Sequence, residues 1–128
     1  MHRKIIATAA FLGLIAIILG AFGAHALKKV LDISELNTFE TGVRYQMYHA
    51  LFLLFIGSSN DVSNKAKKGI FYTIIFGILL FSGSLYFLAL NRVLPFDFSP
   101  FGFITPIGGL LFLAGWFWLF VNFYRNNL

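Results

Sequence analysis

Residues 39–49, Phe-Glu-Thr-Gly-Val-Arg-Tyr-Gln-Met-Tyr-His, carry the side chains of this chain best suited to chemistry, and they run directly into a wholly apolar segment at 50–56. Arg44 offers a permanent cation, Gln46 an amide that donates and accepts, and His49 an imidazole that titrates near neutral pH. Inside hydrocarbon such groups are costly and need partners. Glu40 and Arg44 stand four apart with the acid first, the favourable order for a helical ion pair worth about 0.2 to 0.5 kcal/mol when exposed. His25, Tyr86 and Thr105 lie at the ends of other apolar runs. Together with Glu40, Arg44, Gln46 and His49 they make up a candidate polar cluster. It is either a site or simply satisfied polar packing, and packing is the simpler reading.

No nucleophile with an adjacent base and no metal-ligand spacing accompanies these residues. His25 and His49 alone are a sparse ligand set. The expectation is therefore a non-enzyme with no catalytic residues, no cofactor and no metal. Cysteine is absent, which excludes disulfides and thiolate sites. The net charge of +5 is not gathered into a basic stripe interleaved with stacking aromatics, so it points to lipid and not to nucleic acid.

The elements that must position the cluster are membrane spans. Hydrophobic residues make up 59% of the 128 and charged residues only 12%, whereas a soluble domain needs about a quarter charged. Residues 5–27 contain only Thr8 and His25 as polar members, enough length for a bilayer core that takes about 20 residues. A secretory signal competes, with Arg3 and Lys4 as its basic start and Ala24-His25-Ala26 as a cleavage site. The apolar run is longer than a signal core of about 15 residues, which favours retention as a first span.

Asp32 and Glu35 read as a capping box that starts a new helix. Leu36, Phe39 and Val43 recur at helical spacing, so this segment is expected to rest amphipathically on the interface, to bend at Gly42, and to lead into a second span over 41–59. Residues 60–68, with Asp61, Lys65, Lys67 and Lys68, read as a loop too polar to be buried. A third span follows at 70–90. Pro95 and Pro100 interrupt residues 91–103, whose phenylalanines suit the headgroup zone, and Thr105-Pro106 predicts an N-cap and first position for a fourth span over 105–124.

Small residues mark where backbones can approach: Ala16, Gly20 and Ala24 in the first span, Gly77 and Gly83 in the third, Gly108, Gly109 and Gly115 in the fourth. The predicted fold is an all-α membrane protein, one integral membrane domain over 1–128. It is a four-transmembrane-helix bundle with an amphipathic interfacial segment before the second helix. With four spans, the termini share a side with residues 60–68. That side holds six basic residues, Arg3, Lys4, Lys65, Lys67, Lys68 and Arg125, against Lys28, Lys29, Arg44 and Arg92 on the other. The positive-inside rule then puts both termini in the cytoplasm and the polar cluster at the outer face.

Several motifs together carry a resemblance: Gly-Ala-Phe-Gly-Ala-His at 20–25, residues 39–51 beginning Phe-Glu-Thr-Gly-Val-Arg, Phe-Ser-Gly-Ser-Leu-Tyr at 81–86, and Thr-Pro-Ile-Gly-Gly at 105–109 with Gly-Trp at 115–116. Over nearly its whole length the chain resembles the YgdD/YwdK family of small bacterial inner-membrane proteins. The resemblance implies four helices in an inner membrane, and it implies no activity or site residues. The function expected is that of a structural or accessory protein in the lipid bilayer, packing with a membrane-protein partner or with further copies of itself. The alternative is a small-solute or ion carrier that uses the polar cluster as an oligomer.

Overall fold

The computed structural model describes residues 2–126, the side chain of Asn126 excepted. Four long helices follow one another: α1 (His2–His25), α2 (Ile33–Ser58), α3 (Asn64–Ala89) and α4 (Ile104–Asn126), with short 3-10 turns at Leu27–Lys29, Asn91–Val93 and Ser99–Phe101. At 1.5 Å per residue each is long enough for a bilayer. Stretches containing α1, α3 and α4 are also apolar enough to cross one. In α2, Arg44, Gln46 and His49 dilute the apolar content.

The extensive contacts are sequential: α1 on α2, α2 on α3 and α3 on α4. Two cores result. Ile5, Leu53, Ile56, Ile70 and Ile74 join the first three helices toward the end that holds the N-terminus. Leu27, Leu31, Phe39 and Ala89 close the opposite end, with Tyr86 packed against them.

The capping box forms as predicted, the Asp32 carboxylate accepting from the Glu35 N–H at 2.8 Å and Glu35 Oε1 from the Asp32 N–H at 2.9 Å. Three boundaries differ from expectation. The separate amphipathic segment is not a separate element, because residues 33–58 form one helix. It does not break at Gly42, where the missing side chain admits the Tyr86 ring; a Cβ there would lie 2.7 Å from Tyr86 Cε1. The polar loop at 60–68 is shorter than predicted, since Ser63 caps α3 by accepting from the Ala66 N–H, and Lys67 lies inside the helix and is buried. Finally, α4 begins at Ile104, so Thr105 lies within the first turn and does not cap it.

The small residues divide. Ala16 is buried, whereas Ala24 is exposed. A Cβ on Gly77 or Gly115 would come within 2.7 Å of Phe112 or 2.5 Å of Ile74, and one on Gly108 would strike the backbone of Phe81. These three glycines line the α3–α4 seam. Gly20 and Gly109 leave ordinary van der Waals room, 3.5 Å to Val43 and 3.8 Å to Phe81, and nothing lies within 4 Å of Gly83. Two further close approaches carried no small-xxx-small signal: Gly57 against Ile5 and Ile6, and Gly69 under the Trp118 ring.

Candidate functional site

At about 100° per residue, Gly42, Gln46, His49, Leu53 and Ile56 share one face of α2, and all five are buried. On that face Gln46, 4% exposed, joins three helices. Its Nε2 donates to the Leu12 carbonyl of α1 at 2.8 Å, and its Oε1 accepts from the Tyr86 hydroxyl of α3 at 2.7 Å. One turn away Ser82 Oγ donates to the Gly42 carbonyl at 2.7 Å. This carbonyl sits where Gly42 lets α3 come close.

His49, 3% exposed, joins α2 to α4. The indole of Trp116 donates to its Nε2 at 3.0 Å, and an indole nitrogen cannot accept. Nε2 is therefore the bare nitrogen, and Nδ1 carries the proton that it donates to the Tyr45 carbonyl at 2.7 Å. The Phe112 ring stacks on the imidazole, centroids 3.6 Å apart and 9° from parallel. This histidine is neutral with both ring nitrogens occupied, an arrangement that holds two helices together and leaves no lone pair for a ligand.

The remaining members of the predicted cluster do not join it. Arg44 lies about 140° around α2 from His49; it is exposed and donates to Thr41 Oγ1 at 3.1 Å, so the expected Glu40–Arg44 ion pair is absent. His25 is exposed at the end of α1. Thr105 pairs with Ser84: Ser84 Oγ donates to the Phe81 carbonyl, so the Thr105 hydroxyl donates to Ser84 Oγ and fastens α4 to α3.

Two arrangements escaped the sequence reading. Lys67, 1% exposed, directs its ammonium at the Gly57 carbonyl, 3.2 Å away, and at His2 Nδ1, 2.7 Å away. Gly57 is in the last turn of α2, where unpaired carbonyls make a helix terminus negative, so a cation is stabilised there. The signal was available. Lys67 falls on the same stripe of α3 as Ile70, Phe71 and Ile74, all buried.

The second is the ion pair of Glu35 and Arg92. Arg92 Nε donates to Glu35 Oε2 at 2.7 Å, its Nη2 to Oε1, and the same Nη2 to the Val30 carbonyl at 3.2 Å. This clip ties the α1–α2 connection to the α3–α4 connection, and the Arg92 guanidinium holds the Glu35 carboxyl down at about 2. A carboxyl depressed in the folded state stabilises above its ordinary value and stops doing so as pH falls toward the folded one. The thermal midpoint in detergent should thus fall between about pH 4.5 and about pH 2. Arg92→Gln should fall less over the same interval; equal slopes would show that the clip is not formed.

Among the described residues no group of three or more His, Cys, Asp or Glu could hold a metal. A sequence profile described as "Protein of unknown function (DUF423)" matches residues 19–109. The chain belongs to the DUF423 family. A UPF0382 membrane protein of Staphylococcus saprophyticus is 42% identical over 106 residues, 83% of this chain and 84% of the relative. A UPF0382 membrane protein of Haemophilus influenzae is 37% identical over 127 residues, covering 99% and 98% of the two chains. The UPF0382 inner membrane protein YgdD of Escherichia coli is 37% identical over 126 residues, covering 96% and 91%. The resemblance drawn from scattered motifs thus extends along almost the whole chain, and the family is one of membrane proteins with no assigned activity. No solved structure matches.

Proposed function

We propose that this DUF423 protein is a four-span inner-membrane bundle, both termini cytoplasmic, that acts as a structural or accessory protein by packing with other membrane helices. The observation that carries this reading is that its buried polar groups are consumed within the fold. Gln46, His49, Ser82 and Ser84 each bond to another helix of the same chain or to their own backbone. A catalytic or transport site would keep some of that capacity for its substrate. Meanwhile α1 and α4 each have one extensive neighbour, and both present large apolar side chains outward, Ile17 at 65% exposed and Leu113 at 66% among them.

What supports the orientation is the six basic residues at the terminal side. Arg44 stands near the middle of α2, two residues from Gln46, and its guanidinium is exposed and turned back on Thr41 toward the start of the helix; a long stem that carries the charge along the helix toward headgroups lowers the cost of its position. Reporters fused after Leu128 and between Asn60 and Ser63 should both signal cytoplasm. A photoreactive residue at Ile17 or Leu113, in native membranes, should yield discrete protein adducts. A periplasmic signal from either fusion defeats the topology, and adducts with lipid alone at both positions defeat the packing role.

A further inference from the structure

At the end of the molecule where α3 begins and α4 finishes, a recess of about 510 Å³ opens between them, lined by Ser63, Lys65, Trp118, Asn122 and Arg125. We propose that this recess binds the phosphodiester headgroup of an anionic phospholipid. Lys65 and Arg125 put a cation on each wall, one from each helix, and Ser63 and Asn122 add neutral polar groups between them. Two elements of the recess are fixed by the fold. Gly69 admits the outer edge of the Trp118 ring against α3, and Asn122 Nδ2 donates to the Asp61 carbonyl at 3.2 Å, which anchors α4 to the α2–α3 turn.

The order of chemistry along α4 matches that of a lipid. Arg125, Val121 or Asn122, Trp118 and Ala114 follow at helical spacing, from charge through an amphipathic indole to exposed apolar surface. A free anion would use the cations alone, whereas this strip also offers a path for an acyl chain. The surroundings favour a negative ligand too. Arg3, Lys4 and Lys68, all exposed, belong to the same end of the molecule, where among the described residues the acid is Asp61.

Of the chain's two tryptophans, Trp118 lines the recess and Trp116 lies against His49, so W116F is the background for every measurement, leaving Trp118 as the single emitter that reports on the recess. The full-length protein would be reconstituted in phosphatidylcholine nanodiscs containing a small fraction of brominated phosphatidylglycerol or, separately, of brominated phosphatidylcholine. A cation beside an anionic lipid favours it by about five-fold, so two give local enrichment on the order of 25-fold and much stronger quenching by the brominated phosphatidylglycerol. K65A/R125A should erase the difference between the lipids with helicity unchanged by circular dichroism. K65R/R125K should retain it, as should K28A/K29A, which removes the same charge from the other end. Equal quenching in the parent, or a lipid difference that survives K65A/R125A or is lost equally in K28A/K29A, overturns the proposal. Relief of quenching by millimolar inorganic phosphate overturns it too, by showing a site for the free ion.

Discussion

Gly108→Ala is expected to destabilise the fold by about 1 to 3 kcal/mol or more, although it adds only a methyl group. The new Cβ would meet the Phe81 nitrogen, the Leu80 carbonyl carbon at 2.8 Å and the Phe81 Cα at 2.8 Å. These are backbone atoms of α3, which no rotamer change can move aside. The two helices must separate, and contacts elsewhere along the seam, Phe112 on Gly77 and Ile74 on Gly115, loosen with them. Gly83→Ala should do the reverse. Nothing lies within 4 Å of that position, so the higher helix propensity of alanine, about 0.8 to 1.0 kcal/mol, is gained without collision. Gly109→Ala should fall between, with the Phe81 ring 3.8 Å away. Thermal unfolding of the three variants in one detergent measures the order. A Gly108→Ala protein as stable as its parent would show that α3 and α4 do not approach this closely.

That ordering also marks what could be read from the residues alone. Helix number, approximate extent and the Asp32–Glu35 cap were legible, because apolar run length and capping chemistry are local properties. The pair Gly108-Gly109 was legible as a packing signal, but which glycine meets the neighbour depends on a rotation of about 100° between adjacent residues. Choosing between them requires knowing where α3 lies. Lys67 was misread for a related reason: a lysine in a polar stretch suggests solvent, and only the carbonyl end of α2, from a different part of the chain, makes its burial affordable. Glu35 and Arg92 are 57 residues apart and no local pattern joins them. The candidate cluster was half legible. Gln46, His49 and Tyr86 do turn inward, but the same angular arithmetic along α2 separates Arg44 from His49, and that step needs the sequence only.

His49→Ala and Arg44→Ala should therefore part company, although both remove a cationic or titratable group from the same helix. His49→Ala takes away the ring stacked on Phe112 and leaves the Trp116 N–H without its acceptor. An aromatic pair is worth about 0.5 to 1.5 kcal/mol beyond the area it buries. Trp116 is exposed on the bundle, so in a bilayer its N–H would face hydrocarbon, and a donor left unsatisfied away from water costs about 1 to 3 kcal/mol, toward the lower end where a membrane protein can find it a new partner. The expected loss is about 2 to 4 kcal/mol, most of it in the α2–α4 contact. His49→Gln should recover part of it by offering an acceptor to Trp116 but no ring to Phe112. Arg44→Ala removes one exposed hydrogen bond, to Thr41, and should stay within about 0.5 kcal/mol of the parent. Because the two residues share no partner in the structure, the double variant should equal the sum of the singles within about 0.5 kcal/mol. A coupling larger than that, or an Arg44→Ala protein as unstable as His49→Ala, would mean that Arg44 turns inward and that the two belong to one network after all.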